Sequence, residues 1–552
     1  MKRLLLLLIV AYSVTIYSQI VLSQETIQFP QVLTGSTVTQ SIYARNTGST
    51  AKSYKINYNM SEVFQTTDTL ITIESNDSSA IYFSYSPKHN IIDRYLVAYI
   101  SEDSSDGFVI SLTGSGKYEG IFYESTFNLF DGELKAALNE LTKNHYQLGY
   151  NLARDRMFDT IDKLPGDTIE CVYSGRKIKA ANRTQAQSQD FNTEHTWPQS
   201  LFSSSEPMLS DLNHLYPTDA TANSMRANYQ FGYVVSGVTW SVGGSKLGRN
   251  SSNQTVFEVR DKNKGNTARA VLYFVLRYPQ NYGTFVNSYH EGVLRDWHKI
   301  DPVDTIEIKR NNYILNYQQK RNPLIDHPEF ADRIYSFYLN PVRPTSPGFE
   351  VYPFRLSFDS TGIGDNSKKI LNIFNDGSAT LKIDSIRSDN SNFSIVSSID
   401  SVQKKENKKV EIAFVPVSIG KTTGVLNIYT NAGLKIVSLE GTGMEASDIT
   451  DIPFNASMKF ELEQNYPNPF NPTTKIRFTI PENRNGIVSL KVFDVLGNVI
   501  AELLNEEKPA GNHEIEFNSK GLSSGIYFYR LSAVSMGQTG EMIETKKMIL
   551  IK

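Results

Sequence analysis

The sequence holds one cysteine, Cys171, in 552 residues. A single thiol closes no internal disulfide, so folding must rest on packed cores. The chain also lacks a basic excess: 55 Lys+Arg stand against 58 Asp+Glu, a formal net charge of −3. That balance excludes gripping a polyanion by bulk basicity and leaves only a local basic surface assisted by a metal. After the first residues no run is long and apolar enough to span a bilayer. Hydrophobic residues make up 40% and charged residues 20%, which excludes a disordered chain. The length exceeds what one core supports, so several domains are expected.

The N-terminus reads Met1-Lys2-Arg3, an apolar run from Leu4 to Val10, then small residues at Ser18 and Ser23. A basic start, apolar middle and small residues predict a secretory leader over 1–23, cut after Ser18 or Ser23. Tyr12, Ser13, Thr15 and Tyr17 interrupt the run before it reaches membrane-spanning length. Cys171 sits in Thr168-Ile169-Glu170-Cys171-Val172-Tyr173, which alternates like a strand and predicts a buried thiol rather than a nucleophile.

Residues 24–117 and 346–445 carry the same marks in the same order. Each has an early phenylalanine (Phe29, Phe358), then an Asn/Gly turn (Asn46-Thr47-Gly48, Asn375-Asp376-Gly377). An apolar run into proline follows (Phe83 to Pro87, Phe414 to Pro416), and each closes on Leu112-Thr113-Gly114 or Leu439-Glu440-Gly441. Short alternating segments between turn signals predict two copies of a β-sandwich. They resemble immunoglobulin-like modules of bacterial surface proteins, a resemblance that implies fold and not activity.

Residues 118–345 differ. Leu134, Leu138 and Leu141 share one side of a predicted helix, and Ala268, Val271, Leu272 and Val275 stripe a second from Asn266 to Arg277. Helices mixed with short strands predict an α+β domain. Residues 446–459 read as a polar linker, and 460–552 return to β character after the proline-rich Asn465 to Pro472.

The chemistry concentrates in the α+β segment. In Asn192-Thr193-Glu194-His195-Thr196-Trp197-Pro198 a carboxylate adjoins an imidazole. His195 suits a general base, since imidazole titrates near neutrality. Glu194 suits a hard divalent ion, which takes one or two protein oxygens and keeps water and phosphate for the rest. Neighbours on a strand point opposite ways, so both face one point only if the strand ends there, as Trp197-Pro198 suggests. Asn223 is the candidate second metal ligand, on a helix capped by Thr218 or Asp219. Arg226 lies one turn beyond it and is placed to reach phosphate. For a lone helical Asn, spacing by itself favours a solvated side chain. His290 and His298 match no usual zinc spacing and read as structural.

The blocks Asn192 to Ser200, Ser210 to Leu215 and Asn223 to Asn228 resemble the bacterial endonuclease I family. So do Phe257-Glu258, Lys264 to Ala270, Trp297-His298 with Asp301, Glu307, Arg310-Asn311, Gln318 and Arg321 to Glu329, in the family's order. The resemblance implies a ββα-metal fold and non-specific cleavage of DNA, often RNA, to 5′-phosphate ends with Mg²⁺ or another divalent cation such as Ca²⁺ or Mn²⁺. Position by position it implies His195 as base and Glu194 and Asn223 as metal ligands, with Asp211, Arg226, Asn228 and Arg269 at recurrent positions. Some members carry a transition-state arginine in a long loop after the histidine. Here Leu201 to Leu209 is short and holds none, which leaves Arg226 or Arg269 as candidates, or the metal alone. Residues 460–552 resemble a type IX secretion sorting domain, through their opening, the Asp494 to Gly497 turn, the Gly525-Ile526-Tyr527 strand and the basic end. It implies the type IX machinery as partner and a secreted or surface-attached product.

The expectation is a multidomain chain: an α+β ββα-metal nuclease domain flanked by all-β immunoglobulin-like sandwiches. Its alternatives are a surface adhesion or scaffold protein with an inactive nuclease domain, and a phosphodiesterase for small substrates.

Overall fold

The computed structural model describes residues 20–56, 60–104, 106–281, 285–445, 460–481, 486–535 and 541–551. Most of the expected leader and the whole 446–459 linker lie outside them. Ile20–Leu22, however, forms an edge strand paired with Val38–Asn46, and Ile20 is buried. Cleavage after Ser18 would keep this strand, and cleavage after Ser23 would remove it.

Both flanking modules are two-sheet sandwiches. In the first, Val38–Asn46 and Ser78–Tyr85 lie at the centre of a four-stranded sheet, opposite a five-stranded sheet containing Gly107–Lys117 and Ile92–Ser101. The second places Ser367–Asn375 and Glu406–Phe414 opposite Gly420–Thr430 and Gly433–Met444. Each module has parallel pairing in its second sheet: Thr26–Leu33 on Gly107–Lys117 in the first, and Arg355–Ser357 and Thr361–Gly362 on Gly433–Met444 in the second.

The shared sequence marks do the same work twice. Asn46 donates to Thr50 O at 2.7 Å and Ile73 O at 3.0 Å while accepting from Gly48 N at 2.9 Å. Asn375 donates to Ala379 O at 2.7 Å and Val402 O at 3.0 Å and accepts from Gly377 N at 3.0 Å. Each ties a turn to the strand across from it. The aromatic marks form matching trios: Tyr85 lies 4.8 Å from Phe64 and 5.5 Å from Phe29, and Phe414 lies 4.9 Å from Phe393 and 5.7 Å from Phe358. Gly114 and Gly441 sit against Tyr85 and Phe414, where a Cβ would come within 2.5 Å of the ring. Asn375→Ala removes four hydrogen bonds, the fourth from Gly348 N at 2.9 Å, and strands buried backbone groups. It should lower the stability of its module by about 3 kcal/mol, read as a lowered thermal midpoint; an unshifted midpoint would refute the tying role.

The α+β segment between them has its own core. The helix Asp131–Thr142 buries Leu134 and Leu138, as the leucine spacing predicts. The helix Lys264–Arg277 departs from its predicted one-sided stripe, because it is buried almost all round. Its buried charges survive by being paired: Lys264 with Glu258, Arg269 with Glu307. Ser288–Ile300 and Thr305–Gln318 complete the helical layer. Trp197 is fully buried and stacks on Phe274 at 4.4 Å and 12°. Its burial, worth about 3 kcal/mol, fixes the chain just beyond Glu194 and His195.

Residues 460–551 form a separate β unit with one three-stranded and one four-stranded sheet. Its proline-rich opening is pinned by the buried Asn465, whose amide donates to Pro467 O at 3.1 Å and Thr474 Oγ1 at 2.9 Å. Among the described residues no helix is long and apolar enough to cross a membrane.

Candidate active site

The site is built on two strands and a helix. Phe191–His195 pairs antiparallel with Leu215–Asp219, setting Glu194 opposite Tyr216 and His195 opposite Leu215. The helix Ala220–Arg226 starts at once, capped by Asp219, whose carboxylate accepts from Ala222 N at 2.8 Å. Of the two expected caps, Asp219 is the one used. Because the first strand ends at His195, Glu194 and His195 are both buried on the same side, against plain alternation. They line one cleft of about 500 Å³ with Asn223, Arg226, Asn192 and Arg154.

Each side chain is held by partners distant in sequence. Glu194 Oε1 accepts from Tyr173 Oη at 2.7 Å and lies 3.2 Å from Arg226 Nε. Oε2 accepts no hydrogen bond among the described residues. Burial pushes the Glu194 carboxyl up, and Arg226 and Tyr173 pull it back down. Asn223 donates its amide to Asn192 Oδ1 at 2.9 Å and Thr193 O at 3.4 Å. The amide nitrogen is thereby turned to the strand, and Oδ1 is the atom left over. The cleft accordingly offers two unclaimed oxygens, one from Glu194 and one from Asn223, which suits a hard cation that keeps most of its water. Among the described residues no group of three His, Cys, Asp or Glu could hold a metal.

His195 Nε2 lies 3.1 Å from the Leu209 carbonyl, which can only accept, so the proton sits on Nε2. Nδ1 is then the lone-pair nitrogen, and it accepts from Gln199 Nε2 at 2.8 Å. Gln199 also donates to Tyr150 Oη at 3.3 Å. His214 sits edge-on to the ring at 5.3 Å, itself fixed by its Nε2 on Met208 O at 2.7 Å. Burial first, then His214, push the His195 pKa down to about 3, so the imidazole is neutral.

The two arginines expected at the site part company. Arg226 lines the cleft, but its guanidinium is committed to Glu194, Ala227 O at 2.6 Å and Thr196 O. The structure does not bring Arg269 to the cleft. It is fully buried in Lys264–Arg277, with Nε on Glu307 Oε1 at 2.8 Å and Nη1 on Asp301 O at 2.9 Å. Asp211 is likewise buried, accepting from Tyr278 Oη at 2.8 Å and Tyr273 Oη at 3.0 Å. Asn228 lines the cleft and donates to Ser200 Oγ at 3.0 Å. Cys171 is a buried free thiol, as expected. His290 and His298 are buried on backbone carbonyls, Phe285 O and Pro328 O, each at 3.0 Å, and form no metal pair. Tyr173, Tyr150, Arg154 and the Leu209 carbonyl gave no sequence signal. Each enters through a tertiary contact that no local spacing encodes.

The Endonuclease I family model matches residues 131–329, the segment that holds this cleft. The extracellular ribonuclease of Bacillus subtilis (strain 168) is 31% identical over 233 residues, covering 39% of this chain and 78% of that protein. That of Bacillus amyloliquefaciens is 29% identical over the same shares. Residues 464–550 match the secretion system C-terminal sorting domain, and 349–430 match the Transmembrane protein 131-like N-terminal family. Among solved structures, PapD-like domain 7 of human CEP192 is similar at 12% identity, over 22% of this chain and 99% of that one, with a TM-score of 0.17. The ββα cleft and the sorting domain define a nuclease that is secreted or held at the cell surface. The chain belongs to the endonuclease I family.

Proposed function

We propose that this nuclease is a divalent-metal-dependent, non-specific endonuclease that hydrolyses DNA and RNA phosphodiesters to 5′-phosphate products. The observation that carries the proposal is the fixed tautomer of His195. A neutral imidazole whose Nε2–H is held by Leu209 O presents the Nδ1 lone pair toward the cleft shared with Glu194 and Asn223. A water that takes the place of the Gln199 amide at Nδ1 gives up its proton there as its oxygen attacks phosphorus. The P–O3′ bond breaks, and the leaving 3′ oxygen takes a proton from solvent.

Glu194 Oε2 and Asn223 Oδ1 would hold the cation, Mg²⁺ being the fitting choice for an all-oxygen site. Bound there, it supplies Lewis-acid stabilisation of the charge on phosphorus and the leaving oxygen. Tyr173 and Arg226 aim Glu194 and offset part of the burial that pushes its carboxyl up, and Asn192 keeps the Asn223 amide turned. The Bacillus relatives are named extracellular ribonucleases, which supports RNA as a substrate beside DNA.

The test is cleavage of plasmid DNA and of a folded RNA by the full chain, with Mg²⁺ and with chelator. Both substrates should be cut with Mg²⁺, chelation should stop both, and the new ends should accept labelled phosphate only after phosphatase treatment. Cleavage that survives chelation, or ends that label directly, would overturn the proposed mechanism.

A further inference from the structure

Resting on the nuclease reading above, we infer that Arg154 is the cation that grips the scissile phosphodiester. The cleft has two arginines on its wall, Arg226 and Arg154. Arg226 cannot swing to substrate without abandoning Glu194 and two backbone carbonyls. Arg154 is different: among the described residues no carboxylate lies within ion-pair reach of it. The other charges of its helix, Tyr150–Arg156, are already matched, Asp155 by Arg183 at 2.9 Å and Arg156 by Asp159 at 3.4 Å.

The Arg154 guanidinium is nevertheless held in place. It lies 4.3 Å over the Tyr150 ring, and Nη2 donates to Asn151 Oδ1 at 2.9 Å. Among the described residues Nη1 meets no acceptor, and the buried Nε has none either. A buried donor without a partner marks a place where an acceptor is missing. A non-bridging phosphate oxygen is an acceptor of the right charge, and a planar guanidinium meets two such oxygens at once. In a chain of net charge −3, one unmatched arginine beside the reacting groups matters more than distant surface lysines. Tyr150 links the two halves of the cleft, since it carries Arg154 on its face and receives Gln199 from His195 at its hydroxyl. Phosphorus gathers negative charge as water adds, so the Arg154 contact strengthens toward the transition state and acts on kcat more than on KM.

The experiment uses the full chain with Arg154→Ala, Arg154→Lys and, as a charge control on the same helix, Arg156→Ala. Plasmid cleavage with Mg²⁺ is resolved into kcat and KM. Binding of a fluorescent DNA duplex is measured in chelator against salt, in a His195→Ala background where no cleavage occurs. Arg154→Ala should lower kcat about 10²-fold, with partial recovery in Arg154→Lys. Its salt dependence of binding should fall by about 0.9 in log–log slope, one phosphate contact. Arg156→Ala should change neither beyond twofold. Cleavage by Arg154→Ala within twofold of wild type, or an equal loss in Arg156→Ala, would overturn the inference. If the wild type cleaves nothing, the nuclease mechanism fails instead, and the binding arm still decides: an unchanged slope in the Arg154→Ala background removes the phosphate contact.

Discussion

His195→Ala should lower cleavage at least 10³-fold, to the limit of detection, while the protein stays folded. A positioned general base contributes about 10²–10⁴, and the upper part of that range applies because, among the described residues, no other imidazole or free carboxylate lines the cleft to replace Nδ1. Glu194 has one oxygen engaged by Tyr173 and Arg226, and His214 is turned away onto Met208 O. The substitution strands the Leu209 carbonyl and opens a gap beside His214, at a cost of about 1–3 kcal/mol. The fold should tolerate that loss, because Trp197 on Phe274 anchors the strand end independently. Circular dichroism and a thermal scan would check the fold, and a plasmid assay the chemistry. Cleavage near the wild-type rate by a folded His195→Ala protein would end the assignment of His195 as base.

The elements that sequence made legible share one property: their information is local or repeated. Asn46 and Asn375 were visible because the same turn recurs with the same neighbours, and their hydrogen bonds are the same within 0.1 Å. The strand end at His195 was visible from Trp197-Pro198, and the helix start from Asp219. Asn223 and Arg226, three apart, do reach one cleft. What spacing did not carry is the direction of the Arg226 guanidinium, which turns inward to Glu194 rather than outward to phosphate. Nor does spacing carry the partners of the base: Leu209 stands 14 positions from His195, Tyr173 stands 21 from Glu194, and Tyr150 stands 49 from Gln199. The helix Lys264–Arg277 shows the same limit from another side. Its sequence shows an apolar stripe on one side, yet Lys264 and Arg269 are buried as well, because their counter-charges arrive from elsewhere in the chain.

Arg269→Ala should cost the nuclease segment about 3–5 kcal/mol of stability while leaving the turnover of folded molecules near wild type. Arg269 is fully buried, its Nε meets Glu307 Oε1 at 2.8 Å and its Nη1 meets Asp301 O at 2.9 Å. The approach is so close that Gly265 has no room for a side chain: a Cβ there would lie 1.9 Å from Asp301 O. Burial pushes the Glu307 carboxyl up even with Arg269 beside it. Removing the guanidinium leaves a carboxylate with no counter-charge in a closed core, the costly half of a broken buried pair. For a segment of this size the thermal midpoint should fall by about 10 °C. Replacing both partners by apolar residues of similar volume, Arg269→Met with Glu307→Leu, should recover part of that loss, since no charge is then stranded. A catalytic role predicts the opposite pattern: an unshifted midpoint, and a loss of kcat that the double substitution cannot restore. Measured at 15 °C per folded molecule, a drop in kcat of tenfold or more would return Arg269 to the chemistry. A wild-type kcat with a lowered midpoint would place it among the groups that hold the long helix against Thr305–Gln318, behind the site rather than in it.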